Sequence, residues 1–402
     1  MRIAFVSAGQ SVHTAKWVNA LCERGHEVQL ITLPNHKPPE GLIDPRVTVT
    51  LLPDGGQRGY ISNAGALRRA VRAMDAEIVN VHYATGYGLL MRRSKVHPTI
   101  LSVWGSDVYD SPESNSLFKK MVEKNLFAAD AVASTSHIMA GRVHDFFGYE
   151  KPITVTPFGV DTVCFSPGTD RHEGFVVGCT KALEKKYGQE YLIRGFAQFV
   201  KNLPPQEQQQ VSLRLYGDGS ERDALQALIQ ELGLDNAKLC GAISPEQMPD
   251  ALRQMDVCVL PSINNSESFG VAAVEAMSCG VPVIAGNVDG FRETVEDGVT
   301  GWLIPVEDAG AVADALEKMY RMPKVDREQM GLLGRARVRK LYDIRQNVDT
   351  MLALYEDVSA RLYKPRKKKK PLAEKLADFL NSGKEDNGKE TDGQQPPEEK
   401  KK

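Results

Sequence analysis

The chain has no C-x-x-C pair among its six cysteines (Cys22, Cys164, Cys179, Cys240, Cys258 and Cys279), no apolar run of membrane-spanning length and almost no net charge. Each absence removes a class. Scattered thiols beside apolar residues, as in Val257-Cys258-Val259-Leu260, argue against a zinc site or a disulfide framework and fit a reducing compartment. Most read as small buried hydrophobes. Without about 20 consecutive apolar residues no helix crosses a bilayer. A formal net charge of −2 leaves no electrostatic footprint for nucleic acid. The apolar start, Ile3-Ala4-Phe5-Val6, is one strand long and runs into Ser7-Ala8-Gly9, so it does not read as a secretory leader, and a cytoplasmic location is expected. There is no G-x-G-x-x-G and no Walker A loop, which weakens a dehydrogenase reading and removes a P-loop one. No D-x-D or His cluster asks for a metal.

What is present is an alternation of short β-branched runs with helical segments, the pattern of parallel sheets covered by helices. Strands are predicted at 3–7, 28–32, 47–52, 78–82, 99–103, 131–135 and 153–156, then at 175–178, 211–216, 237–240, 257–260 and 281–284. Between them, helices are predicted at 12–24, 190–200, 221–232 and 271–278. A polar stretch at 161–174, with Phe165-Ser166-Pro167-Gly168, separates the two series as a linker would. A chain of 402 residues is long for one core. The fold class expected is therefore α/β, with two Rossmann-like doubly wound domains facing across a cleft. Residues 1–165 form the first, 166–340 the second, and a C-terminal helix at 341–362 crosses back. Ligands of such sheets bind beyond the carboxyl ends of the strands, which places the site between the domains.

From about Lys364 the chain changes character. Residues 364–402 hold 12 Lys+Arg against 8 Asp+Glu, a local net of +4 that begins with the block Lys364–Lys370. Disorder is the default for such a composition. An amphipathic piece, Leu372 to Leu380, and the basic block together raise peripheral contact with an anionic membrane face as an expectation.

The strongest local signal is Glu267-Ser268-Phe269-Gly270-Val271-Ala272-Ala273-Val274-Glu275, in which two carboxylates flank a Phe-Gly turn. A helix starting near Gly270 directs the amides of Phe269, Gly270 and Val271 outward, and such a helix end is an anion site suited to a diphosphate. Gly270 allows close backbone approach. Glu275, just over one turn inside, is suited to a ribose diol, and Glu267 to sugar hydroxyls.

The stretch from Asp256 to Ile304 resembles the E-x7-E region of the large GT-B glycosyltransferase family of retaining enzymes (group 1). The matching runs are Val259-Leu260-Pro261-Ser262, Glu267-x-Phe269-Gly270, Glu275-Ala276-Met277-x-Cys279-Gly280-Val281-Pro282-Val283-Ile284-Ala285 and Asp297-Gly298-x-Thr300-Gly301. Further similar stretches, in the expected order, are Trp17–Leu21 with Arg24–Val28, Pro157-x-Gly159-Val160-Asp161, Tyr191–Phe196, Gly217-Asp218-Gly219 and Cys240-Gly241. The resemblance implies that a nucleotide-sugar is the donor, with no further cofactor, and that a hexose-type sugar passes to a glycan or a polyprenyl- or other lipid-linked acceptor without a metal. It places Glu275, Phe269, Gly270, Val271, Gly217 and Gly241 on the donor, with Gly9 of Ser7-Ala8-Gly9-Gln10-Ser11 touching its phosphate from the first domain. It assigns the leaving diphosphate to Lys181 and Lys186, although Lys185 competes within Lys185-Lys186. A fixed cation there stabilises the charge that develops as the glycosyl bond breaks.

The chain departs from the family in Val103-Trp104-Gly105-Ser106-Asp107, where Trp104 replaces a His that would contact the sugar. Asp107 is retained as a candidate for the cleft, and His82 is the alternative source of the missing contact. Asp289 replaces the first Gly of a Val-Gly-Gly turn, either tuning the acceptor side or occupying a left-handed turn position.

Overall fold

A computed structural model describes residues 1–168 and 172–365. Nearly all of the basic block and the amphipathic piece at 372–380 lie outside them. The described chain from Met1 to Tyr363 forms one compact unit, built on two sheets. The first contains β1 (Arg2–Val6), β2 (Glu27–Thr32), β3 (Thr48–Leu51), β4 (Ile78–His82), β5 (Thr99–Val103), β6 (Ala131–Ser134) and β7 (Ile153–Val155), ordered β3-β2-β1-β4-β5-β6-β7. The second contains β8 (Phe175–Thr180), β9 (Val211–Tyr216), β10 (Ala237–Gly241), β11 (Val257–Leu260), β12 (Val283–Gly286) and β13 (Gly301–Ile304), ordered β10-β9-β8-β11-β12-β13.

Both sheets are parallel throughout, which explains why their strands read as apolar runs rather than alternations. Helices cover both faces, so every residue of β4, β5, β8, β11 and β12 is buried. Register is tight at the centres: Phe5 lies opposite Leu30 on one side and Asn80 on the other. The GT-B architecture expected from the sequence is the one found. β13 was not predicted, since Gly301-Trp302-Leu303-Ile304 is short and sits at a sheet edge.

The topology determines where a ligand goes. In each sheet the strand order reverses beside its first strand, at β1/β4 and at β8/β11. Loops leaving those carboxyl ends diverge to opposite faces and leave a crevice. The segments at the crevice are 7–11, 83–86, 181–188 and 261–270. The Ile344–Leu362 helix closes the back of the first domain, burying Val348, Met351, Tyr355 and Val358 against Ile3, Phe5 and Trp17. The Tyr355 hydroxyl accepts a bond from Asn80 Nδ2 at 2.5 Å. Among the described residues no helix is long and apolar enough to cross a membrane.

Candidate active site

The Glu267–Glu275 segment folds as its sequence suggests. β11 ends at Leu260, a loop carries Ser262 and Glu267, and the next helix spans Val271–Ser278 with Gly270 as its N-cap. Gly270 takes φ +77°, and a Cβ there would lie 2.7 Å from the Phe291 ring, so the turn demands glycine. No side chain caps the helix start, so its first amides keep the unpaired donors that every helix N-terminus has. Phe269 is buried, edge-on to Tyr342 at 5.3 Å and Phe158 at 6.2 Å, and anchors the turn. Val271 packs partly buried on the same core.

Glu267 is only 10% exposed and pairs with Lys181, which is 11% exposed. Ser262 Oγ donates to Glu267 Oε2 at 3.3 Å. Burial opposes the charge on Lys181, but the Glu267 carboxylate and the nearby Tyr187 outweigh it, so its pKa is raised and the ammonium is held. Lys181 Nζ lies 4.7 Å from the centre of the Tyr187 ring. Lys186 lies 5.1 Å from the same ring and acts electrostatically on Asp110 of the first domain. Lys185 is exposed and lines a separate surface hollow with Glu190 and Glu221. Geometry therefore sets the exposed Lys185 apart from Lys181 and Lys186, the two lysines that the resemblance assigns to the diphosphate.

Glu275 is 14% exposed and meets Lys16 of the first helix (Val12–Glu23) across the cleft, at 3.4 Å. Two more contacts join the domains there. Ser268 Oγ donates to the Trp104 carbonyl at 2.7 Å, and the Tyr109 hydroxyl donates to Asp289 Oδ2 at 2.8 Å. Asp289 opens the short Asp289–Thr294 helix and is not among the residues with positive φ, so its side chain, not its backbone, accounts for it. Gly290 donates its N–H to the Glu267 carbonyl at 2.8 Å, and a Cβ on Gly290 would come within 2.3 Å of that oxygen. Two hollows of about 560 and 580 Å³ open elsewhere, one at Arg335 and Arg345 and one behind the second sheet at His172 and Arg327.

Three residues expected at the cleft turn out to sit beneath it. Asp107 is fully buried, and its two oxygens accept N–H bonds from Ala84 at 2.7 Å, Trp104 at 3.0 Å and Gly105 at 2.8 Å. It pins the β4 and β5 loops together and presents no surface to a substrate. Burial raises its pKa, against the pull of those amides. His82 is 1% exposed, with its ring 4.3 Å from Phe5 and 4.8 Å from Trp104, and neither ring nitrogen has a partner. It packs under Trp104 instead of lining the cleft. Gly9 is buried, its N–H donates to Thr32 Oγ1 at 3.2 Å, and Pro38 lies over it. Gly217 follows β9 and donates to the carbonyl of Gly241 at 2.9 Å, with a would-be Cβ 2.1 Å from the Lys181 carbonyl. These two glycines shape the loop that carries Lys181.

His13 and Lys16 were missed. His13 stacks on Phe158 at 4.1 Å and lies edge-on to Trp104 at 5.8 Å. Burial, then Lys16 and Lys181, pull its pKa down to about 3, and burial also holds His82 well below the usual histidine value. The consequence for stability has a definite sign. Below about pH 6.5 the unfolded chain protonates these rings while the folded chain does not, so the unfolded state binds more protons. Their contribution is complete above that pH and is lost as pH falls toward 3. Unfolding free energies from urea titration should drop between pH 7 and pH 5, by up to about 1.4 kcal/mol per pH unit per histidine. His82→Asn should shrink that drop; an identical drop in the variant would refute the assignment.

Two family descriptions match the chain: "Glycosyl transferase 4-like" over residues 2–136 and "Glycosyl transferases group 1" over residues 167–337. The second half of the chain carries the group 1 glycosyltransferase region. The chain is 26% identical over 365 residues to the N-acetyl-alpha-D-glucosaminyl L-malate synthase of Bacillus anthracis, covering 84% of this chain and 91% of that protein. It is 29% identical over 226 residues to a D-inositol 3-phosphate glycosyltransferase of Corynebacterium jeikeium, spanning about half of each (52%). In fold, the chain is similar to a sucrose-phosphate synthase from Thermosynechococcus elongatus, with TM-score 0.78 and 22% identity over 90% of this chain and 100% of the other. It is also similar to Anabaena HepE, solved with UDP-glucose, with TM-score 0.71 and 19% identity over 88% of this chain and 100% of that one.

Among the described residues no three of His, Cys, Asp and Glu converge as a metal-holding group. Lys16, Lys181 and Lys186 supply positive charge at the cleft.

Proposed function

We propose that the protein is a retaining, metal-independent glycosyltransferase that moves a hexose-type sugar from a nucleoside-diphosphate donor to a glycan or lipid-linked acceptor. The observation that carries this reading is the Lys181–Glu267 pair beside the uncapped Val271–Ser278 helix start. A carboxylate for sugar hydroxyls, unpaired amides for a diphosphate and a buried ammonium for the leaving charge meet in one crevice. Glu267 and Lys181 bind and polarise, Glu275 orients the ribose, and Lys186 closes over the diphosphate from the β8 loop.

Electrostatic stabilisation of the departing diphosphate is the chemical step these groups supply. The lipid-linked acceptor is supported by a relative named a GDP-mannose-dependent phosphatidylinositol monomannoside mannosyltransferase, 27% identical over 293 residues. The test is incubation with a panel of UDP-, GDP- and ADP-sugars, following donor hydrolysis and transfer by mass spectrometry. One donor should be consumed with anomeric configuration retained in the product. Consumption of none, or an inverted product, would refute the proposal.

A further inference from the structure

We propose that Lys16 is a diphosphate ligand supplied by the first domain and parked on Glu275 until a donor arrives. The proposal rests on the reading of the site given above. In the structure each acidic residue of the motif holds one lysine: Glu267 holds Lys181 within the second domain, and Glu275 holds Lys16 across the cleft at 3.4 Å. A Glu275 carboxylate that accepts two bonds from a ribose diol has to release or share that ammonium. Lys16 is 29% exposed and Glu275 14%, so the pair is partly buried and a displaced ammonium is better satisfied by an anion nearby.

The diphosphate provides one. Glu275 is four residues from Val271 on the same helix, a rise of about 6 Å from the uncapped amides where the anion is placed. A lysine suits the exchange because its ammonium is a point charge on a flexible stem. His13, one turn before Lys16 on the first helix, ties the picture together. Its ring feels both Lys16 and Lys181, so the two ammonium groups, one from each domain, converge on the same stretch of cleft. A donor would then exchange the Lys16–Glu275 pair for a lysine–phosphate contact beside Lys181, and only a closed cleft brings both ammonium groups to the diphosphate.

The experiment titrates the full-length protein calorimetrically with UDP, GDP and ADP, and with uridine, guanosine and adenosine. Lys16→Met should weaken the preferred nucleoside diphosphate by about tenfold or more, the loss typical of a charged hydrogen bond. The matching nucleoside should bind as well as before or better, because Glu275 is freed. Lys16→Arg should recover most of the diphosphate affinity. A Lys16 that merely clasps the domains would move both ligands together, or neither, and either result overturns the proposal. A wild-type protein that binds none of the three diphosphates would instead overturn the underlying reading of the site. Melting temperatures of the variants within a few degrees of the wild type would show that the fold is intact.

Discussion

Glu267→Gln should lower donor turnover by about a hundredfold or more while the chain stays folded. The side chain sits where two requirements meet. Its carboxylate pairs with Lys181 and accepts from Ser262 Oγ, and its carbonyl is held by Gly290 N–H at 2.8 Å. The backbone bond does not depend on the side-chain charge, so glutamine leaves the loop in place. What glutamine removes is the anion that keeps Lys181 charged and aimed. A nearly buried ammonium without its partner is unfavourable by several kcal/mol, and part of that shows as lost stability. The measurements are the turnover of the donor identified by the panel and the urea midpoint of the same sample. Lys181→Met should also cripple turnover, and the double variant should lose much less than the product of the two losses, because the residues act as one unit. Turnover unchanged in Glu267→Gln would remove this pair from the mechanism.

Asp107→Ala should destabilise the protein by about 3 kcal/mol or more, since it strands buried backbone N–H groups of Ala84, Trp104 and Gly105 without an acceptor. Asp107→Asn is the sharper test. Asparagine retains one oxygen but turns an N–H₂ toward amides that already donate. Its urea midpoint should therefore fall markedly, and turnover should fall only as the β4 and β5 loops loosen. A residue that touched substrate would behave in the opposite way, keeping stability and losing turnover. Full stability in Asp107→Asn would return Asp107 to the cleft.

Much of this was legible before any coordinates. The strands at 78–82, 99–103, 211–216 and 257–260 and the helix at 271–278 fall where apolar periodicity and flanking glycines place them. Fully buried parallel strands and a Gly270 turn are local signals, carried by residue type and spacing within a few positions. Two of the three misplacements share one physical cause. His82 ends β4 and Asp107 lies in the loop that follows β5, where a polar side chain either faces the crevice or folds back beneath it. Which happens depends on the neighbouring loop's amides and on Trp104 covering the His82 ring. Lys16 carries no local mark, because its partner Glu275 is 259 residues away.

By itself, then, the sequence determined the two doubly wound sheets, the helix start at Gly270 and the acidic residues that bracket it, because hydrophobic period and turn chemistry act over short stretches of chain. Tertiary structure alone decided which lysine meets which carboxylate, and which polar residues support the crevice rather than line it. Those choices are made by charge pairing and burial between segments that only the fold brings together.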